Sequence, residues 1–400
     1  MHKVRALTST TSPRSLYTAL TAGAVGLYWI SLYLYVPSLP VYARSMTSEL
    51  ALVGAVLAQY GLWQAIIRLP LGIFSDWLGR RKPLIFLGFI LAGTGAWVMG
   101  RAGGIEGLMV GRAITGLAAG SWVVMVVAFS SLFPPAEAVR ATVILTLVNS
   151  TCRMLATAVN GPLIDLGGFA LAFNLAALVS LGAVLVYMPV PEATFERKKP
   201  SMRGTQELVT RRDVLLPSLL NALVQYISWA TVFGFLPVLA KSLGASDTIL
   251  GLMVSMNIGV GVLGNLAAGV LVRRMNLYII LFLGFVLMAA GLIFSALASS
   301  LAWIFAAQFL IGFGGGLAYP TLMGMSIEHV DQPQRSTAMG LHQAVYGIGM
   351  FAGPWLSGIL ADRIGLSVMF AATGIASLAL GSLGVWALMR PRNEPAQEDY

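Results

Sequence analysis

Charge is scarce in this chain. Of its 400 residues only 10% are Asp, Glu, Lys or Arg, against 57% that are apolar, and the mean hydropathy is +0.81. So thin a polar complement cannot cover the surface of a soluble globular domain. Cysteine is nearly absent: Cys152 stands alone inside an apolar run, which excludes a disulfide framework and a cysteine metal site and leaves a small packing residue. No GxxxxGK[ST] phosphate loop occurs, so nothing indicates that ATP drives the protein directly. No nucleophile, base or metal-ligand cluster recurs on one face, so neither an enzyme nor a cofactor site is expected. Two apparent motifs fall away for the same reason. GVGVLG at 259–264 fits GxGxxG, and NST at 149–151 fits a glycosylation sequon, but both lie inside apolar runs.

What fills the chain is a succession of apolar runs. A helix needs about 20 residues to cross ~30 Å of hydrocarbon. Twelve runs reach that length, near 18–42, 51–75, 84–101, 105–132, 141–164, 169–190, 216–240, 248–272, 277–298, 301–325, 336–360 and 367–389. They lack the alternation of barrel strands, and lipid requires every backbone polar group to be satisfied internally, so helices are expected. The first run is too long for a signal-peptide core and is read as structural. Basic residues set the orientation. Alternate loops hold Arg80, Arg81, Lys82, Arg140, Arg197, Lys198, Lys199, Arg211, Arg212, Arg273, Arg274 and Arg335, whereas the others hold only Arg44, Arg101, Lys241 and Arg363. Both termini are therefore expected on the cytoplasmic side of the cell (inner) membrane. The formal charge of +9 reads as a topology and lipid-surface signal, with no nucleic-acid partner.

The chain is also written twice. Residues 39–46 read LPVYARSM and residues 236–243 read LPVLAKSL, 197 positions apart; at that offset Gly72 falls on Gly269. Gly116 and Gly120 fall on Gly312 and Gly316 at 196. The expected fold is an all-α membrane protein of twelve transmembrane helices in two pseudo-symmetric six-helix bundles, parallel repeats with a site between them. Its parts would be a cytoplasmic tail over 1–17, a bundle over 18–190, a linker over 191–215, a second bundle over 216–389 and a tail over 390–400. Asp76 falls on Arg273 and Arg112 on Gln308, so function is expected to concentrate in the first half.

Polar groups at membrane depth line cavities or pair with one another. They gather on runs one, two, four, five and their copies, which suggests eight helices around a polar path and four facing lipid. Arg112 opens RAITGLAAG, with Gly116 and Gly120 on its own helical face. It either serves protonation or anion binding, or pairs structurally with a carboxylate such as Asp165. Arg153 lies near mid-span with no acidic residue at its depth, which suits an anionic or electron-rich ligand; the alternative is a pairing with backbone carbonyls or snorkelling along a neighbour. Asp165 is a proton carrier or a helix-end charge. His342 is a titrating group or a hydrogen-bonded neutral ring. Aromatic residues on these helices suit an amphipathic or ring-bearing ligand. The substrate-binding candidates are Trp29, Tyr33, Gln64, Arg112, Arg153, Gln225, Trp229, Asn257, Gln308, Tyr319, His342 and Tyr346; the proton-coupling candidates are Arg112, Asp165 and His342.

Between the second and third runs stands GIFSDWLGRRK, residues 72–82. Here Gly72, Asp76, Gly79, Arg80 and Arg81 match GxxxDRxGRR/K, and the chain as a whole resembles the major facilitator superfamily; Trp77 departs where that family has a basic residue. The resemblance implies that Asp76, with Arg80, locks the two halves together against the N-terminal end of helix eleven, a place that favours a carboxylate. It also implies that Arg112 with Gly116 and Gly120 is the helix-four motif associated with proton coupling. Helix five keeps only Gly161 and Pro162 of the exporter motif, with Asp165 where glycine is expected, whereas Gly340, Gly349, Gly353, Pro354 and Gly358 reproduce its spacing in run eleven. The implied activity is proton-coupled efflux of a small amphipathic or drug-like solute by alternating access. The rival is uptake or facilitated diffusion of an organic anion or sugar-like solute; a non-transporting receptor is disfavoured by the short loops. A small-molecule substrate, protons and membrane lipid are the expected partners of a monomer.

Overall fold

The computed structural model describes residues 13–134, 137–192, 208–331 and 334–390, with side chains for all of these except 13, 14, 76, 138, 139 and 336. Every regular element among them is helical. Eleven helices are long and apolar enough to cross a bilayer. One of these, Ala138–Tyr187, is of double length and breaks where Gly168 takes φ 68°, a conformation that glycine reaches without a Cβ clash. Twelve crossing segments result. They are α1 (Pro13–Tyr33), α2 (Leu50–Leu78), α3 (Lys82–Gly100), α4 (Ile105–Gly120, continued by Trp122–Ser130), α5 (138–166), α6 (169–187), α7 (Arg212–Ala230), α8 (Asp247–Leu271), α9 (Leu277–Ala296), α10 (Leu301–Glu328), α11 (Arg335–Ile364) and α12 (Leu366–Met389). The seventh begins at Arg212, inside the stretch expected as linker, because Arg211 forks onto Asp213 and donates to the His329 carbonyl at 2.7 Å. The Asp213 hydrogen bond raises the Arg211 guanidinium above its ordinary value.

Packing follows the polar pattern. The halves meet where α2 packs on α11 and α5 on α8, while α1, α4, α7 and α10 complete the interior. α3 lies behind α4 and α6, and α9 behind α10 and α12. These outer helices turn Leu87, Ile90, Trp97, Leu178, Leu181, Ile279, Phe282, Ile375 and Trp386 outward, as lipid-facing surfaces require. Lipid tails supply no hydrophobic drive between helices, so backbones must approach closely over small residues. A Cβ at Gly116 would lie 2.8 Å from the Tyr60 carbonyl oxygen, and one at Gly312 would lie 2.7 Å from that of Asn257, so α4 on α2 and α10 on α8 are the same contact made twice. Gly120 faces Ile67, and Gly353 faces the Tyr226 carbonyl.

Two irregular turns also repeat. Beyond Tyr33 the helix is lost over residues 34–38 and resumes as Leu39–Met46. Beyond Ala230 the chain opens into a π-helical turn, Thr231–Phe235, before Leu236–Ser242. The two stretches are 197 positions apart. A broken helix strands backbone polar groups, and Asn160 of α5 answers one, donating to the Leu34 carbonyl at 2.8 Å while accepting from Ser38 at 2.6 Å.

Candidate functional site

At mid-depth a ladder of rings crosses from one half to the other. Trp122 meets Trp29 at 5.4 Å between centroids, Trp29 meets Tyr33 at 5.8 Å, Tyr33 meets Phe233 at 6.0 Å, Phe233 meets Trp229 at 5.0 Å, and Trp229 stacks on Tyr60 at 5.0 Å. The break after Tyr33 and the π turn at Phe233 adjoin this crossing; interrupted helices of this kind recur at binding sites. The ladder unites three expected residues, Trp29, Tyr33 and Trp229. It adds Tyr60, Trp122 and Phe233, which were not among the candidates. Phe233 was detectable one turn beyond Trp229, but its helix-breaking setting was not.

Two guanidinium groups sit on the ladder. Arg153 lies 4.1 Å above the Tyr33 ring and 5.8 Å from Trp29; Arg112 lies 4.2 Å above Tyr60 and 5.8 Å from Trp229. A third, Arg68, donates to the Tyr346 hydroxyl and lies 5.1 Å from that ring. Arg112 is 1% exposed and Arg68 6%. Among the described residues none of the three has a carboxylate within ion-pair distance. Arg112 is therefore not paired with Asp165. The aromatic faces return about 0.5–2 kcal/mol per cation, less than the several kcal/mol that removing each charge from water costs. The interior thus holds net positive charge with open donors: Arg68 Nε, Arg112 Nε and Nη1, and Arg153 Nε have no partner among the described residues.

The remaining candidates form separate groups. Tyr346 links Arg68 to Tyr319, at 6.1 Å, and to His342, at 6.0 Å. His342 is fully buried between Asn221, at 2.7 Å from Nε2, and Ser218, at 3.0 Å from Nδ1. The Ser218 hydroxyl already donates to Val214, so Nδ1–H donates to it, and a neutral ring fits this pair of partners. Asn257 donates to the Gln308 carbonyl at 2.7 Å, and the fully buried Gln308 amide has neither polar atom partnered among the described residues. Gln64 and Gln225 make no hydrogen bond or ring contact to the ladder among these residues.

The end of the bundle away from the chain termini is closed by a contact made twice. Asp362, at the end of α11, accepts from the Leu50 and Ala51 amides at 2.8 and 2.7 Å, capping the first turn of α2. Asp165, 197 positions earlier at the end of α5, accepts from the Thr248 hydroxyl at 3.1 Å in the first turn of α8. Between them Gly54 faces Pro354 and Gly358, and Gly251 faces Thr157 and Gly161, again at matching positions. Pro162 and Pro354 lie within these closing helices. Asp165 is thus a helix-end partner across the interface. Asp362 was missed, although the repeat offset points straight to it.

At the opposite end, Gly79 takes φ 68° and closes α2 through its amide to Ser75. Arg80 is exposed, and nothing packs on Gly72. The Arg81 and Lys82 amides donate to Glu192 at 3.1 and 3.2 Å, an anchor from beyond α6 that the motif itself did not announce. The Asp76 side chain lies outside the described residues.

Residues 21–224 and 218–399 each match the family model described as Major Facilitator Superfamily. The chain belongs to that superfamily. An uncharacterised MFS-type transporter of Methanocaldococcus jannaschii is 21% identical over 365 residues, covering 88% of this chain and 93% of that one. A synaptic vesicular amine transporter of Mus musculus is 26% identical over 159 residues, covering 40% of this chain and 31% of its own length. Among solved structures, an inward-facing, unoccupied bacterial homologue of the human lysosomal transporter Spinster superposes with a TM-score of 0.77 at 15% identity, covering 97% of this chain and all of that one. The protein is accordingly an integral membrane transporter with the superfamily's fold.

Proposed function

We propose that this superfamily member is a secondary transporter that moves a small amphipathic organic solute by alternating access, with protons driving export. The observation that carries this reading is the ring ladder, which joins α1 and α2 of one half to α7 and the π-helical turn after it in the other, through Tyr60–Trp229 and Tyr33–Phe233. A solute held there touches both halves, and a ligand moves such an equilibrium only by binding the two states differently. Closure by Asp165 and Asp362 at the end read from the basic loops as external corresponds to a site reached from inside. The exporter-like spacing runs from Gly340 to Gly358 in α11, whereas α5 keeps only Gly161 and Pro162 of it, so the direction of transport rests on the flux measurement. Proton coupling would fall to His342, whose buried ring is neutral between Asn221 and Ser218 here and could take up a proton only where another conformation opens it. Its ring joins α7 to α11.

The test is flux in proteoliposomes with three matched aromatic solutes, 2-naphthoate, 2-naphthamide and 2-naphthylmethylamine, with and without an imposed pH gradient. Flux of one of them that follows the gradient is expected. Equal flux without it removes the coupling, and no flux of any of the three removes this reading. Uptake or facilitated diffusion of an organic anion, the second reading, is favoured by the uncompensated arginines and would give naphthoate flux indifferent to the gradient.

A further inference from the structure

The charges of the chain are sorted by depth. Every Asp and Glu lies in a loop, a tail or the first or last turns of a span, whereas Arg68, Arg112 and Arg153 lie within spans. Among the described residues no carboxylate neutralises them. Arg68 shares a tyrosine hydroxyl, while Arg112 and Arg153 rest on ring faces, and each guanidinium keeps a donor unpartnered among the described residues. Two of them share the ring ladder: Arg153 lies over Tyr33 and Arg112 over Tyr60, with Phe233 and Trp229 between these rings, while Arg68 lies over Tyr346. Arg153 is the accessible member, half-buried where the other two are buried.

Guanidinium donors form a planar fork that fits a carboxylate, and charge-assisted hydrogen bonds of this kind are the strong ones. Aromatic faces beside the fork receive a flat apolar body. A cation entering the ladder would meet two like charges and, among the described residues, no counter-ion. Resting on the transport reading above, we infer that the substrate is an organic anion with a planar unsaturated body, its carboxylate on Arg153 and its ring against Tyr33, Phe233 and Trp229. This separates the chain from the amine specificity named for its vesicular relative. That relative matches only 40% of the chain, and an amine is repelled by the charges described here.

The three naphthyl probes test this as ligands, apart from transport. Binding to the purified full-length protein in phosphatidylcholine nanodiscs is followed by tryptophan fluorescence, since Trp29 and Trp229 border the site, and by thermal shift. Naphthoate should bind about tenfold more tightly than naphthamide, the difference expected of a charge-assisted contact, and the amine should not bind. In Arg153→Gln the ratio of the naphthoate and naphthamide affinities should collapse toward one. Arg153→Lys, which keeps the charge and loses the fork, should retain part of it. Equal wild-type affinities, preference for the amine, or a ratio that survives Arg153→Gln would each overturn the inference. So would loss of the naphthoate signal when phosphatidylglycerol is added, because a lipid headgroup would then be the anion these arginines hold. Flux of the amine without naphthoate binding would sink the inference and leave transport standing. Naphthoate binding without flux of any probe would do the reverse.

Discussion

Asp165 and Asp362 show how a single carboxylate can carry a conformational state. Each belongs to the end of one helix and reaches the first turn of another across the interface between halves, where amide dipoles favour negative charge. At exposed sites such a contact is worth about 0.3–1 kcal/mol, so each should shift the balance between closed and open ends roughly two- to fivefold. Asp165→Asn and Asp362→Asn should therefore each raise the open population by that factor, and the double variant by about the product if the two sites act independently. Distances between spin labels at the ends of α2 and α11 and of α5 and α8 would report it; unchanged distance distributions in the double variant would remove the latch. Arg112 and Arg153 were readable from sequence because a charge at mid-span is costly and must be paired or put to use, whereas Arg68 was not singled out. Of the rings beneath them, Trp29, Tyr33, Trp229 and Tyr346 were legible as well, whereas Tyr60, and Phe233 in the ladder beside it, were not, since aromatic residues are common in membrane helices and only the fold selects these two from the rest.

At the scale of the element, closeness of backbones decides what each helix can tolerate. Gly349 faces the Ala222 backbone of α7, and Gly353 the Tyr226 carbonyl, so α11 is seated on α7 over glycine. Gly349→Val should push the helices apart at a cost of about 1–3 kcal/mol and lower the melting temperature in detergent. Gly72→Ala, in open space, should leave the melting temperature unchanged; a similar fall in both would show that the effect is not one of packing. Span number and span order were legible because twenty apolar residues in succession admit one structure in lipid. The interruptions after Tyr33 and Ala230 were not. Pro37 and Gly234 stand in them, but each lies in a run otherwise apolar enough to read as one span, and what makes the first break tolerable is Asn160, more than a hundred residues away.

For the whole molecule, the repeat carried more structural information than any motif. It aligned the helix-packing glycines, and it contained the paired closing contacts, of which only Asp165 was noticed beforehand. The motif at 72–82 is a lesson of another kind. Its resemblance to the superfamily assigns Asp76 to the opposite end of the transport cycle. Asp76→Asn should then reduce flux while leaving probe affinity within about twofold, as expected of a residue that biases a population and touches no ligand; full flux would withdraw the role. The closed end has a last consequence. Residues of the first copy touch the second as those of the second touch the first: Asp165 of α5 accepts from the Thr248 hydroxyl of α8, and Asp362 of α11 caps α2. That is the geometry of an isologous interface. Each half carries both the acid and the helix start that the other requires, so the surface is complementary to itself.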